Sequence, residues 1–201
     1  MLDSSAIAPL SIGRNQFDNF NSVVLSPGNI LPAEVFADLR TDHAGEVGAV
    51  FIYQGVLQFA RDPMLRAFAE HHLVTEQKHL LLIAGWLPKA EYSRLLPLWK
   101  LAGFLTGALP ALFSSKAVYA TIEAVETFVN QHYEDQIRAL ESKPELSDLR
   151  QTLLNCQADE VAHRDEAAAA LGSTRPNLVL RAWCAMVGTG SKAAVSLIRH
   201  I

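Results

Sequence analysis

The sequence predicts an all-α protein: four long helices in two antiparallel hairpins, joined by a long apolar crossover and followed by an extra C-terminal helix. Three observations carry this. Apolar residues recur at helical spacing over four long stretches. Two very short breaks, Asp62-Pro63 and Ser142-Lys143-Pro144-Glu145, each join consecutive stretches, which makes the flanking helices antiparallel neighbours. Alternating Val, Ile and Thr runs bounded by turns, the mark of strands, are absent.

Taken in order, residues 1–30 are rich in Asn, Ser, Gly and Pro without a period and read as a poorly ordered N-terminal arm; residues 31–201 read as one domain. Helical periodicity starts near Pro32, so the first helix is expected from about Ala33 to Ala60. Asp62 then supplies a cap and Pro63 the first helical position of a second helix ending near Trp86. The crossover, Leu95 to Phe113, carries one charge, Lys100, in 19 residues. Pro97, Pro110, Gly103 and Gly107 interrupt it, so a segment lying on or re-entering a membrane surface is expected rather than an uninterrupted span of about 20 apolar residues. A third helix should run from about Ser115 to Glu141. The Ser142-to-Glu145 box should cap a fourth, which ends at Leu171 before Gly172, and a last helix should run from Asn177. Two hairpins joined by one long crossover make the ferritin-like arrangement.

Composition narrows the function classes. Of 201 residues, 50% are hydrophobic and 19% charged, against about 25% charged in typical soluble domains, which excludes disordered, collagenous and coiled-coil-only chains. Cys156 and Cys184 form no regular spacing, so neither a disulfide framework nor a thiolate metal site is expected, and a reducing compartment is. The first 39 residues hold one basic residue, Arg14, and no long apolar run; neither a secretory signal nor an Arg-rich transit peptide is expected. Charge is distributed unevenly. Arg94, Lys100 and Lys116 around the crossover, with Arg175, Arg181, Lys192 and Arg199 near the C-terminus, lie in stretches without acidic residues and total +7, leaving −11 on the rest. Two apolar, basic segments, about 95–113 and 177–201, on an acidic body point to contact with anionic lipid. The acidic bundle argues against nucleic acid.

The chemistry concentrates on the inner helical faces. The chain contains two Glu-x-x-His motifs, Glu76 to His79 on the second helix and Glu160 to His163 on the fourth. The i, i+3 spacing puts each pair on one face. That face is otherwise apolar: Leu65, Phe68, His72 and Ile83 in one case, Leu149, Leu153, Cys156 and Ala167 in the other. Carboxylates on a core-facing stripe are costly unless paired or metal-bound. The first helix adds Glu46 on the stripe Leu39, His43, Val50, Tyr53, Leu57; the third adds Glu126 on Ile122, Val129, Tyr133, Ile137. Glu46 and Glu76 lie nearly equidistant from the first turn, and Glu126 and Glu160 each lie 17 positions from Lys143. Each hairpin thus sets one Glu level with one Glu-x-x-His, as in a structural repeat. Four carboxylates and two imidazoles on four inward faces are the donor set of a di-iron or di-manganese carboxylate centre. Glu123, one turn before Glu126, competes for the third-helix position but breaks the symmetry. His43 and His72 are candidates to orient carboxylates, and His132-Tyr133 to handle protons. His71 and His200 read as surface groups.

The chain resembles the di-iron demethoxyubiquinone hydroxylases of ubiquinone biosynthesis. The resemblance rests on Arg40-Thr41-Asp42-His43-Ala44-Gly45-Glu46 with Gly48-Ala49 and Ile52-Tyr53, and on Glu76-Gln77-Lys78-His79-Leu80. It continues through Pro97-Leu98-Trp99 with Gly103-Phe104, Ala124-Val125-Glu126 with His132-Tyr133, and Asp159-Glu160-Val161-Ala162-His163. It covers residues 35–201 and leaves 1–30 unmatched. It implies a peripheral membrane monooxygenase on the cytoplasmic face of the cell membrane. The implied reaction hydroxylates the ring of a polyprenylated demethoxy-benzoquinol with dioxygen and electrons from NADH, at two irons held by Glu46, Glu76, His79, Glu126, Glu160 and His163. Other ubiquinone-biosynthesis proteins or further copies of the chain are the implied protein partners. Thr127 stands where family members often carry a second acidic residue. No Gly-x-Gly-x-x-Gly fingerprint is present, so NADH would bind without a Rossmann domain or a partner would deliver electrons. The alternatives are a ferritin-like ferroxidase or peroxidase, which needs no apolar basic segments, and a non-enzymatic quinone-binding scaffold.

Overall fold

A computed structural model describes residues 31–173 and 176–199; the expected arm over 1–30 lies outside them. Six helices make up the fold, α1 (Ala33–Phe59), α2 (Pro63–Trp86), α3 (Leu96–Phe113), α4 (Ser115–Leu140), α5 (Ser147–Leu171) and α6 (Leu178–Ile198), with no strand among the described residues. The α1–α2 and α4–α5 hairpins form the four-helix bundle. The crossover α3 packs along α1 and α4, and α6 packs on α4 and α1. The expected all-α bundle of two hairpins is the observed one.

Local chemistry accounts for the helix ends. Asp62 accepts a hydrogen bond from the Met64 amide and Pro63 opens α2, as expected. The other Asp62 oxygen accepts from Ser115 Oγ at 2.8 Å, tying the start of α2 to the start of α4. Ser114 caps α4 through the Ala117 amide, Asn177 caps α6 through the Leu180 amide, and α5 stops at Gly172, whose φ of 67° favours glycine. The expected capping box does not form. A 3₁₀ turn, Pro144–Leu146, intervenes, and α5 begins at Ser147 without a side-chain cap.

The crossover differs more from expectation, because it is one unbroken helix. Pro97 sits in its first turn, where no amide partner is lost, and Pro110 falls in the last turn. The glycines mark close approach rather than breaks. A Cβ on Gly103 would lie 2.4 Å from the Gly48 carbonyl oxygen, and one on Gly107 would lie 1.9 Å from that of Ile52. Small residues let the two backbones touch. α3 is long and apolar enough to cross a membrane, with 22% of it buried. Its outer face exposes Leu98, Leu101, Leu105, Leu109, Leu112 and Phe113.

Beneath, the bundle core joins Val56, Leu65, Ala69, Val118, Ile122 and Ala167. This apolar packing brackets a band of buried polar residues midway along the helices.

Candidate metal centre

The six residues singled out on the inner stripes meet in that band, each at most 4% exposed. They form two overlapping sets in which the donor atoms lie within 4.8 Å of one another: Glu46, Glu76, His79 and Glu160, and Glu76, Glu126, Glu160 and His163. Glu76 and Glu160 belong to both. Glu123 is half-buried and lines a shallow cleft beside Arg181, so Glu126 alone of the two α4 candidates reaches the cluster.

The internal electrostatics are those of a site built around positive charge. Neither oxygen of Glu76 makes a hydrogen bond, nor does Glu46 Oε2 or Glu160 Oε2. Burial, reinforced by the Glu160 carboxylate, raises the pKa of Glu46, Glu76 and Glu126 well above the ordinary carboxylate range, Glu46 to about 7. Burial opposes ionisation of Glu160 as well, but the adjoining His163 and His79 imidazoles outweigh it and hold that carboxyl below its usual value. His163 Nδ1 lies 3.1 Å from Glu76 and 3.2 Å from Glu160, off line for a hydrogen bond to either. It is directed between the two carboxylates. Desolvating four carboxylates together costs several kcal/mol per ion unless cations compensate. Unpartnered oxygens converging with two imidazole nitrogens therefore fit a pair of divalent ions, and oxygen-rich donors with one imidazole each suit iron or manganese.

Surrounding residues fix the donors. His79 points Nδ1 at Glu160, 2.9 Å away, and donates Nε2–H to Asp159 at 3.0 Å, which sets its tautomer and ring orientation. Tyr133 donates its hydroxyl to Glu46. His132 lies beside the site: its Nε2 is 3.0 Å from Asp42 Oδ1, an oxygen that also accepts from Gln136 at 2.6 Å. Burial lowers the basicity of His132, and the Asp42 hydrogen bond more than restores it. His43 stacks on Tyr92 at 3.8 Å and makes no bond to the carboxylates. His72 bonds Glu166 at 3.0 Å while its ring packs 4.0 Å from that of His163. His71 is exposed, and His200 lies outside the described residues. Thr127 is exposed and donates to the Glu123 carbonyl, away from the cluster.

Sequence reasoning missed Asp159, Asp42 and Gln136. Asp159 directly precedes a Glu-x-x-His glutamate, which was the available signal; Gln136 follows His132 by one helical turn.

A cavity of about 50 Å³ adjoins the cluster, walled by Glu46, Glu126, His132 and Tyr133 among others. It shares Gly45, Ala49, Phe128, Val129 and Val195 with an apolar cleft of about 350 Å³ between α1, α3, α4 and α6, which Trp99 and Trp183 also line. The donor set is thus reached through apolar walls.

An all-α bundle with two overlapping carboxylate–histidine sets, opening onto an apolar cleft, defines a helical-bundle protein with a buried site suited to metal ions. The pattern of the family described as ubiquinone biosynthesis protein COQ7 matches residues 34–198, and the chain belongs to that family. It is 38% identical over 143 residues to the 3-demethoxyubiquinol 3-hydroxylase of Rhodospirillum rubrum, covering 69% of this chain and 66% of that protein. To the NADPH-dependent 3-demethoxyubiquinone 3-hydroxylase of Mus musculus it is 33% identical over 160 residues, 76% and 72% of the two chains. The Dictyostelium discoideum protein of the latter name is 34% identical over 130 residues, 62% of this chain and 59% of its own length. The last two relatives are named as mitochondrial, and their names specify NADPH where the resemblance implied NADH.

Proposed function

We propose that this chain is a monooxygenase that hydroxylates the ring of a polyprenylated demethoxy-benzoquinol in ubiquinone biosynthesis, using dioxygen and electrons from a nicotinamide dinucleotide. The carrying observation is the buried pair of overlapping donor sets at the inner end of an apolar cleft. Glu46, Glu76, His79, Glu126, Glu160 and His163 would hold two irons, with Glu76 and Glu160 common to both donor sets. Bound there, two ferrous ions supply the electrons and the binding site that activate dioxygen for insertion into the ring.

The chain's own residues do the rest. The cleft takes a flat, apolar head group edge-on between Trp99 and Trp183 and toward Phe128, and its walls exclude water from the centre. Tyr133 holds Glu46 in one orientation through its hydroxyl. His132 holds a proton at Nε2 against Asp42 Oδ1, on the wall of the small cavity where the ring hydroxyl would lie. A ferroxidase has no use for that cleft.

The exposed leucines of α3 and the apolar start of α6 support a peripheral location on a lipid surface from which the polyprenyl tail is drawn; the cytoplasmic face is our assignment. Electron delivery, and any docking with other ubiquinone-biosynthesis proteins or a second copy, belongs to the same reading.

The test is single-turnover hydroxylation by protein loaded with iron in detergent. It is given a demethoxy-benzoquinol, isotopically labelled dioxygen and NADPH or NADH. One labelled oxygen atom in the ring is expected. Protein holding two irons that consumes dioxygen without labelling the quinol sinks the reading.

A further inference from the structure

Tyr53 is unused by the site as described, yet it is fully buried and its hydroxyl has no hydrogen-bond partner. A buried phenol normally finds one, and leaving it unmet costs free energy. Its position repeats that of Tyr133. Tyr53 follows Glu46 by seven residues on α1, and Tyr133 follows Glu126 by seven on α4, in the two hairpins that supply matching donors. Tyr133 reaches across the bundle to the glutamate of the opposite hairpin, Glu46. The same crossing made by Tyr53 leads to the Glu126 half of the centre. The Tyr53 ring meets His163, a member of that half, edge-on at 6.5 Å and lies against His72 at 5.8 Å. Glu126 is also the strongest of the charges acting on the Tyr53 hydroxyl, after burial itself.

We propose that Tyr53 is a positioning residue for the second half of the centre, the counterpart of Tyr133, whose hydroxyl donates to Glu126 when a divalent ion is bound there. Without the ion the Tyr53 hydroxyl meets no acceptor. With the ion bound, Glu126 would offer the orphaned donor its acceptor. His72 Nδ1 is also unpartnered, so the two neighbouring rings do not satisfy one another. The inference rests on the dimetal reading of the site.

The experiment uses Mn²⁺ as the only probe, with free ion counted by paramagnetic resonance and melting followed with and without metal. It compares the full-length wild type, Tyr53→Phe and Tyr133→Phe. The wild type should bind two ions. Tyr53→Phe should weaken one of the two steps about tenfold, the size of a lost hydrogen bond to a charged group, and leave the other unchanged. Its metal-free form should melt no lower than the wild type, because an unmet hydroxyl has been removed. Tyr133→Phe, which loses a bond already present, should melt lower without metal. A Tyr53→Phe protein that binds both ions as tightly as the wild type, or that loses equal stability with and without metal, overturns the proposal. A wild type that binds no Mn²⁺ overturns the dimetal reading instead.

Discussion

Glu46, Glu76 and Glu126 are buried carboxyl groups whose pKa values the fold has displaced upward, and the direction of that displacement fixes how the metal-free protein responds to pH. A carboxyl raised by folding binds its proton more tightly in the native state, so its contribution favours the native state below the unfolded value of 4.5 and is lost as pH climbs through the native value, about 7 for Glu46. His79, raised to about 10 mainly by the Glu160 hydrogen bond against burial, and His163, also raised, act with the same sign at higher pH. Glu160, lowered to about 2, acts oppositely, but only below 4.5. Metal-free protein should therefore melt at lower temperature at about pH 8 than at about pH 5, and loading with Mn²⁺ should remove most of that difference. A metal-free melting temperature that rises over that range contradicts the assignment. These residues were legible in the sequence because charge on an apolar stripe is conspicuous. Asp42 and Asp159 were not, because an acidic residue beside such a stripe looks solvated until the neighbouring helix is in place.

At the scale of the element, the contact of α3 with α1 is set by absent side chains. Alanine is favoured over glycine in a helix by about 1 kcal/mol, so Gly107→Ala in a freely exposed helix would stabilise. Here the added methyl would fall 1.9 Å from the Ile52 carbonyl oxygen, backbone that cannot turn aside. Overpacking of this kind costs about 1–3 kcal/mol, so the overlap wins. Gly107→Ala should lower stability by about 1 kcal/mol in urea unfolding and loosen the cleft that α3 walls. A variant more stable than the parent would mean the helices are not in backbone contact. The same glycines explain why the helix of the crossover was not legible in the sequence. Pro and Gly interrupt an isolated helix, whereas here Pro97 occupies the first turn and the glycines are paid for by the neighbour they admit. The four bundle helices, set by longer periodicity and by Asp62-Pro63, were legible almost to the residue. The Ser142-to-Glu145 box was not, because a 3₁₀ turn through Pro144 displaces the helix start.

For the whole molecule, the exposed apolar residues gather on α3 and on the start of α6, where Phe113, Leu178 and Val179 are each more than three-quarters exposed. Lys100, whose ammonium group lies 5.6 Å from the centre of the Phe51 ring, and Arg181 belong to the same helices. Such a face favours the headgroup region of an anionic bilayer, through apolar burial and basic charge together. The protein should co-sediment with vesicles containing anionic lipid, more weakly with neutral ones, and Phe113→Asp should reduce binding severalfold while leaving metal content unchanged. Equal binding by Phe113→Asp would place the lipid contact elsewhere.

Each complete donor set takes three residues from one hairpin and a single glutamate from the other. During synthesis, Glu160 and His163 leave the ribosome last of the six, after the first hairpin and α4 are already made. No four-donor set exists until α5 has emerged and docked. An ion that needs all four donors of either set can therefore be held only once folding is complete.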